Sequence, residues 1–196
     1  LTSEDKILFV GYHEVTGGMI DCPDLGYYIY SDVWIVEMDM GGKIINQWCY
    51  GGKYPDGGFD IIEVEDGYVI AALTRSNDRD VSGFHGTPGV DAHDDIWCFK
   101  IDFYGNMIWQ KCLGGSLMEW PVYLTDTQDG GFIIIGNTRS YDGDVTGNHT
   151  TEWPGVFDIW VVNLSSDGQL LWEHCFGSSH NNRFWGINSV VKVDNY

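Results

Sequence analysis

Short runs in which apolar and polar positions alternate follow one another along the chain, each closed by a cluster rich in Gly, Asp, Asn or Ser. A period of two puts alternate side chains on opposite faces of a pleated strand, and the Gly/Asp clusters supply turns. The pattern predicts strands near 7–12, 33–39 and 43–50, then 58–64, 97–101, 106–113, 120–127 and 132–138. Asp66-Gly67 and Asp129-Gly130-Gly131 fall where a tight hairpin turn needs a residue with positive φ, which Gly adopts at no steric cost. No stretch carries a helical period.

The strand pattern recurs. Asp32-Val-Trp-Ile-Val-Glu-Met-Asp39, Asp95-Ile-Trp-Cys-Phe-Lys-Ile-Asp102 and Asp158-Ile-Trp-Val-Val-Asn-Leu-Ser165 are spaced by 63 residues (95 − 32 and 158 − 95). Gly42, Gly105 and Gly168 keep that step, as do Cys49, Cys112 and Cys175, and then Gly51, Gly114 and Gly177. Coincidences at one period mark a repeated structural unit. Each unit holds four strands, and four antiparallel strands repeated radially are the blade of a β-propeller. The expected fold is therefore all-β, a propeller-like array of three four-stranded blades of about 63 residues each. The blades span about 1–57, 58–119 and 120–183, with a closing strand at 184–196. A stacked solenoid is the alternative, but 63 residues is long for one coil.

If the innermost strand of a blade is the one before the Asp-Gly turn, the N-terminal blade lacks its own, and a lone strand of that kind ends the chain at about 184–192. Ser189-Val-Val-Lys-Val-Asp-Asn-Tyr196 followed by Lys6-Ile-Leu-Phe-Val-Gly11 imitates Ile61-Ile-Glu-Val-Glu-Asp-Gly-Tyr68-Val-Ile-Ala-Ala72. Three arrangements follow: a piece of a larger propeller, two chains associating through end strands into a six-bladed ring, or a closed three-bladed monomer.

Asp158-Ile-Trp-Val-Val-Asn-Leu, Asp167-Gly168-Gln-Leu-Leu-Trp172-Glu and Gly177 resemble the repeats of bacterial secreted and cell-surface β-propeller proteins, of the form D-x-W-V-V-K-L-D, G-x-x-x-W and G-G. Asp129-Gly-Gly-Phe-Ile-Ile-Ile-Gly136 and the loop from Ser140 to His149 match the rest of that repeat. The resemblance implies export to the cell surface or the extracellular space. A more distant likeness links Gly105 to Trp109, and Gly168 to Trp172, with propellers of the pyrroloquinoline-quinone type, where the indole is a packing device between blades. The first repeat departs, with Asn46 at the Trp position and Trp48 nearby.

Composition narrows the partners. Hydrophobic residues at 43% and 26 glycines fit a packed, turn-rich protein rather than a disordered one. A net charge of −19 repels phosphate backbones and anionic bilayers, so neither a nucleic-acid partner nor membrane insertion is expected. The chain begins at Leu1 without a signal-peptide pattern, as a processed or excised product would. The repeat register of Cys49, Cys112 and Cys175 puts them on separate blades, beyond disulfide reach, so the five thiols are expected to be free and the registered ones to pack as small hydrophobes.

The candidate chemistry lies in two loops. Ser140-Tyr-Asp142-Gly-Asp144-Val-Thr-Gly147 is mirrored by Ser76-Asn-Asp78-Arg-Asp80-Val-Ser-Gly83. Carboxylates at alternating positions can converge on calcium, with carbonyls and water completing the shell, which makes Asp142, Asp144, Asp78 and Asp80 the candidate metal ligands. The same aspartates can instead cap backbone N–H groups in a solvated turn. His85 and His149 recur just beyond; paired with Asp94 or Asp158 they could ligate a metal, though no short spacing supports it, and surface loop polar residues are the favoured reading. Trp153, in a long loop with no repeat counterpart, is the candidate ligand-face indole. The function expected from these residues is a non-catalytic binding or scaffold module with a protein or glycan ligand. A glycan-active enzyme using the central face and a self-assembling structural unit are the competing classes.

Overall fold

The structure, a computed structural model, describes residues 2, 5–14, 18–22, 31–89, 93–149 and 156–184. Among them are eleven strands in three antiparallel sheets. Sheet 1 has the order β1 (Ile7–His13), β2 (Asp32–Met38), β3 (Ile44–Tyr50). Sheet 2 runs β4 (Asp56–Val64), β5 (Gly67–Thr74), β6 (Asp95–Ile101), β7 (Met107–Leu113). Sheet 3 runs β8 (Glu119–Asp126), β9 (Phe132–Thr138), β10 (Asp158–Leu164), β11 (Leu170–Phe176).

The all-β expectation holds. Sheet 1 has three strands among the described residues, not four, and the three sheets are not closed into a ring. The strand expected to complete sheet 1, at 184–196, lies outside the described residues beyond Phe184.

Strand alternation decides how the sheets stack. On β5, Tyr68, Ile70 and Ala72 point into the core shared with sheet 1, alongside Val33, Ile35, Tyr50, Trp97 and Phe99. Val69 and Ala71 point the other way, into the core shared with sheet 3, alongside Cys98, Leu113, Ile134, Trp160 and Val162. Sheet 2 is thus apolar on both faces, as a strand set buried between two neighbours must be. Strand β4 packs beside both β1 and β8. Asp60 on β4 accepts the Leu124 backbone N–H of β8 at 2.8 Å, which ties these two strands together.

One indole in each sheet has a polar partner for its N–H. Trp34 donates to Gln47 at 2.9 Å, Trp97 to Gln110 at 3.0 Å and Trp160 to Glu173 at 2.6 Å. These pairs keep the 63-residue step, so the repeat extends to side-chain bonds.

The cysteines require a correction. Cys22 and Cys49 form a disulfide, with Cα atoms 5.8 Å apart. The repeat argument excluded bridges between sheets, but Cys22 precedes β2 and meets β3 of its own sheet. Cys98 and Cys112 are free and buried, and Cys175 is free and half-buried.

Candidate functional site

Each junction between sheets is built on a buried acid that opens the first strand of the next sheet. Asp56 accepts from Gly52 N–H at 2.7 Å, from the Ser76 hydroxyl at 2.9 Å and from the Thr74 hydroxyl. Glu119, one repeat later, accepts from Gly115 N–H at 2.9 Å, Thr138 at 2.7 Å and Ser140 N–H at 3.2 Å. Both are fully buried. Burial pushes each carboxyl up to about 7, against the pull of these hydrogen bonds. A second acid stands across a glycine from each: a Cβ on Gly51 would strike Asp32 and Asp56, and one on Gly114 would strike Asp95 and Glu119. The recurring glycines are there because two carboxyl groups converge over them.

The four aspartates expected to hold calcium clamp adjacent sheets together. Asp78 accepts from Lys53 N–H at 2.8 Å and Asp80 from Gly51 N–H at 3.1 Å. Asp142 accepts from Ser116 N–H at 2.7 Å and Asp144 from Gly114 N–H at 3.4 Å. Each loop of one sheet thereby caps the backbone that leaves the preceding sheet. His85 meets Asp95 at 2.6 Å rather than Asp94, which instead pairs with Arg75. His149 meets Asp158 at 2.8 Å. The Asp95 carboxylate raises the His85 pKa. Among the described residues, the group of three or more His, Cys, Asp or Glu donor atoms within 4.8 Å of one another is His13, Cys22 and Cys49, and it includes the disulfide. Trp153 lies outside the described residues.

A cavity of about 540 Å³ opens where β4 and β8 begin. Pro55, Phe59, Met118, Trp120 and Val122 give it an apolar wall, and Arg75, Asp94 and Asn137 edge it with polar groups. Here the repeat breaks. Trp120 stands one period after Gly57, and Phe157 one period after Asp94. The rings of Trp120 and Phe157 stack, with centroids 5.7 Å apart and an interplanar angle of 2°. The guanidinium groups of Arg139 and Arg183 each lie 4.3 Å from the Phe157 centroid, within cation–π range. The sequence reading did not single out Trp120. Its absence from the register that holds Trp34, Trp97 and Trp160 is the signal that could have found it.

Burial raises the Cys98 and Cys112 thiols and pushes Cys175 up to about 12. The buried acids are spent on backbone and hydroxyl donors. The fold and this site define an antiparallel all-β protein with a mainly apolar cavity between two of its sheets. No protein-family model and no curated protein matches the chain. Among the described residues no helix is long and apolar enough to cross a membrane.

Proposed function

We propose that the chain is a non-catalytic binding module of β-propeller type on an exported bacterial protein, and that the cavity between β4 and β8 receives the apolar face of a protein or glycan ligand. The observation that carries this reading is the coincidence of the cavity with the place where the repeat breaks. Residues that hold the sheets together recur at a step of 63 or 64, whereas Trp120, which lines the cavity, does not, and neither does Phe157, whose ring stacks on it. An apolar pocket edged by a few polar groups is the usual form of a ligand site. The Cys22–Cys49 disulfide supports export, since such bonds persist in oxidising compartments.

Titration of tryptophan fluorescence with neutral oligosaccharides and with peptides tests the reading. A saturable change is expected, weakened about tenfold or more in Trp120→Ala, the cost of losing an anchoring indole. Equal binding by the variant, or turnover of a bound glycan, would reject it. Calcium at Asp142 and Asp144, and at Asp78 and Asp80, would reinforce their capping of the preceding sheet. Calorimetry on chelator-stripped protein tests this, and no heat at millimolar calcium leaves those loops to their backbone bonds alone.

A further inference from the structure

The two junctions inside the chain share a knob and a socket. Trp48 of sheet 1 lies on Gly105, in the β6–β7 turn of sheet 2, and Trp109 of sheet 2 lies on Gly168, in the β10–β11 turn of sheet 3. The Trp109 indole also donates to the Ser166 carbonyl at 3.2 Å. At the outer ends the same parts are present but, among the described residues, unmated. Trp172, one period after Trp109, is 42% exposed on sheet 3. Gly42, one period before Gly105, has a left-handed φ of 81° against 85° there, and among the described residues nothing lies within 4 Å of where its Cβ would be.

Single side chains around knob and socket follow suit, although Val36, opposite Phe9, is itself buried. Phe176 is 54% exposed where its counterpart Leu113 is fully buried between sheets 2 and 3. Phe9 is 37% exposed where its counterpart Ile70 is fully buried between sheets 1 and 2. Trp172, His174 and Phe176 line up as a ladder of rings on one end, with centroid spacings of 5.5 and 6.3 Å. Phe9 and Trp34 make an edge contact at 6.0 Å on the other.

The backbone beyond sheet 3 also starts a new junction. Asn182 N–H donates to the Phe157 carbonyl at 2.7 Å, as Glu119 does to Asp94 at 2.6 Å and Asp56 to Ser31 at 2.7 Å. A Cβ on Gly177 would strike Asp158 and approach Asn182, as one on Gly114 would strike Asp95 and Glu119. Asn182 therefore stands where the first strand of a following sheet begins. Sheet 1 is the sheet that has no such strand among the described residues.

We infer that the exposed face of sheet 3 docks on the exposed face of sheet 1 in a second copy of this chain, with Trp172 of one copy seated on Gly42 of the other. The contact repeats the junction already made twice within each chain. It is heterologous, so it must close into a ring or grow into a fibre. Two copies supply six sheets, inside the four-to-eight range of closed propellers, whereas a single chain supplies three. At −19 per chain the copies repel, so added salt strengthens the assembly.

Sedimentation velocity on the 196-residue chain at high micromolar concentration and rising salt reads this directly. The expected species has twice the 22.1 kDa chain mass and gains population with salt. Trp172→Ala spoils the sheet 3 end and Phe9→Asp the sheet 1 end, and each variant alone sediments as a monomer. Mixed together they form a two-chain species through the one junction left intact. A wild-type chain that stays monomeric at all salt concentrations overturns the inference, as does a ladder of species longer than two. Trp172 is exposed and its removal leaves the core untouched, so a folded Trp172→Ala chain that assembles like wild type also overturns it, whatever Phe9→Asp does.

Discussion

Strands β1 and β5 hold the same place in their sheets, each paired with a strand that opens on the repeated Asp-x-Trp. Ile7 faces Met38 as Tyr68 faces Ile101, and His13 faces Asp32 as Thr74 faces Asp95. Yet β5 is buried along nearly its whole length, while β1 exposes Phe9 and Tyr12. Register assigns each side chain to a face, but burial comes from neighbours, and β5 has a sheet on either side. The end of β1 differs in chemistry as well. Thr74 and Thr138 donate to a buried acid on the adjoining strand, and β1 has His13 at that position.

The largest test of this contrast pairs two truncations at one register position. Ile70→Ala should cost about 2–5 kcal/mol, as emptying a filled core site does, and Phe9→Ala about 1 kcal/mol or less. Chemical denaturation of dilute, monomeric protein measures both. Equal costs would mean that the open face of sheet 1 is covered even in the single chain.

A second contrast concerns how loops are fastened. His85 grips Asp95 in sheet 2 and His149 grips Asp158 in sheet 3, whereas Cys22, one period before His85, is bonded to Cys49. Sheet 1 thus replaces an ionic clip with a covalent one. The bridge spans 27 residues. Replacing both cysteines by serine should lower stability by about 3 kcal/mol, mainly by freeing the unfolded chain, and His85→Ala by about 1–2 kcal/mol. Thermal melts of the two variants rank them, and the reverse order would make the histidine clip the stronger fastening.

The smallest contrast is in pH. Asp56 and Glu119 bind protons more tightly folded than unfolded, with values of about 7 against 3.8 and 4.5. Their stabilising contribution is complete below about pH 4 and is lost as pH rises to about 7. The raised His85 pKa works in the same sense. Melting temperature should therefore fall between pH 5 and pH 8, the reverse of ordinary acid denaturation. Glu119→Gln should flatten that slope, and a slope unchanged in the variant would acquit Glu119. Asp32 of sheet 1 adds to the rise at Asp56, so Asp32→Asn should lower the slope slightly, while Phe9→Ala on the other face of sheet 1 should leave it alone.

Much of this contrast was legible beforehand. Strand β9 falls at Phe132–Thr138, as the apolar run after the Asp129-Gly130-Gly131 turn indicates, and the 63-residue step placed β2, β6 and β10 in one register. These signals are local, because a pleated strand writes its two faces into neighbouring residues. What stayed hidden depends on contacts between distant segments. Nothing in the spacing of Cys22 and Cys49 says that a loop folds back on β3. Asp94 and Asp95 are adjacent, and only the fold turns one toward Arg75 and the other toward His85. The cavity likewise needs Phe59 and Trp120 brought together from separate sheets.

The clamps at the sheet junctions also set the order in which the molecule comes apart. Asp80 reaches Gly51 across 29 residues and Asp144 reaches Gly114 across 30, so every clamp joins segments close in the chain. An array held only by nearest neighbours can open from its ends while its middle stays intact. Sheet 2 keeps both of its clamps until a flanking sheet has left, so its amide protons should be the last to exchange with solvent. Native-state hydrogen exchange would then divide the chain into graded zones, with β5 and β6 at the slow extreme.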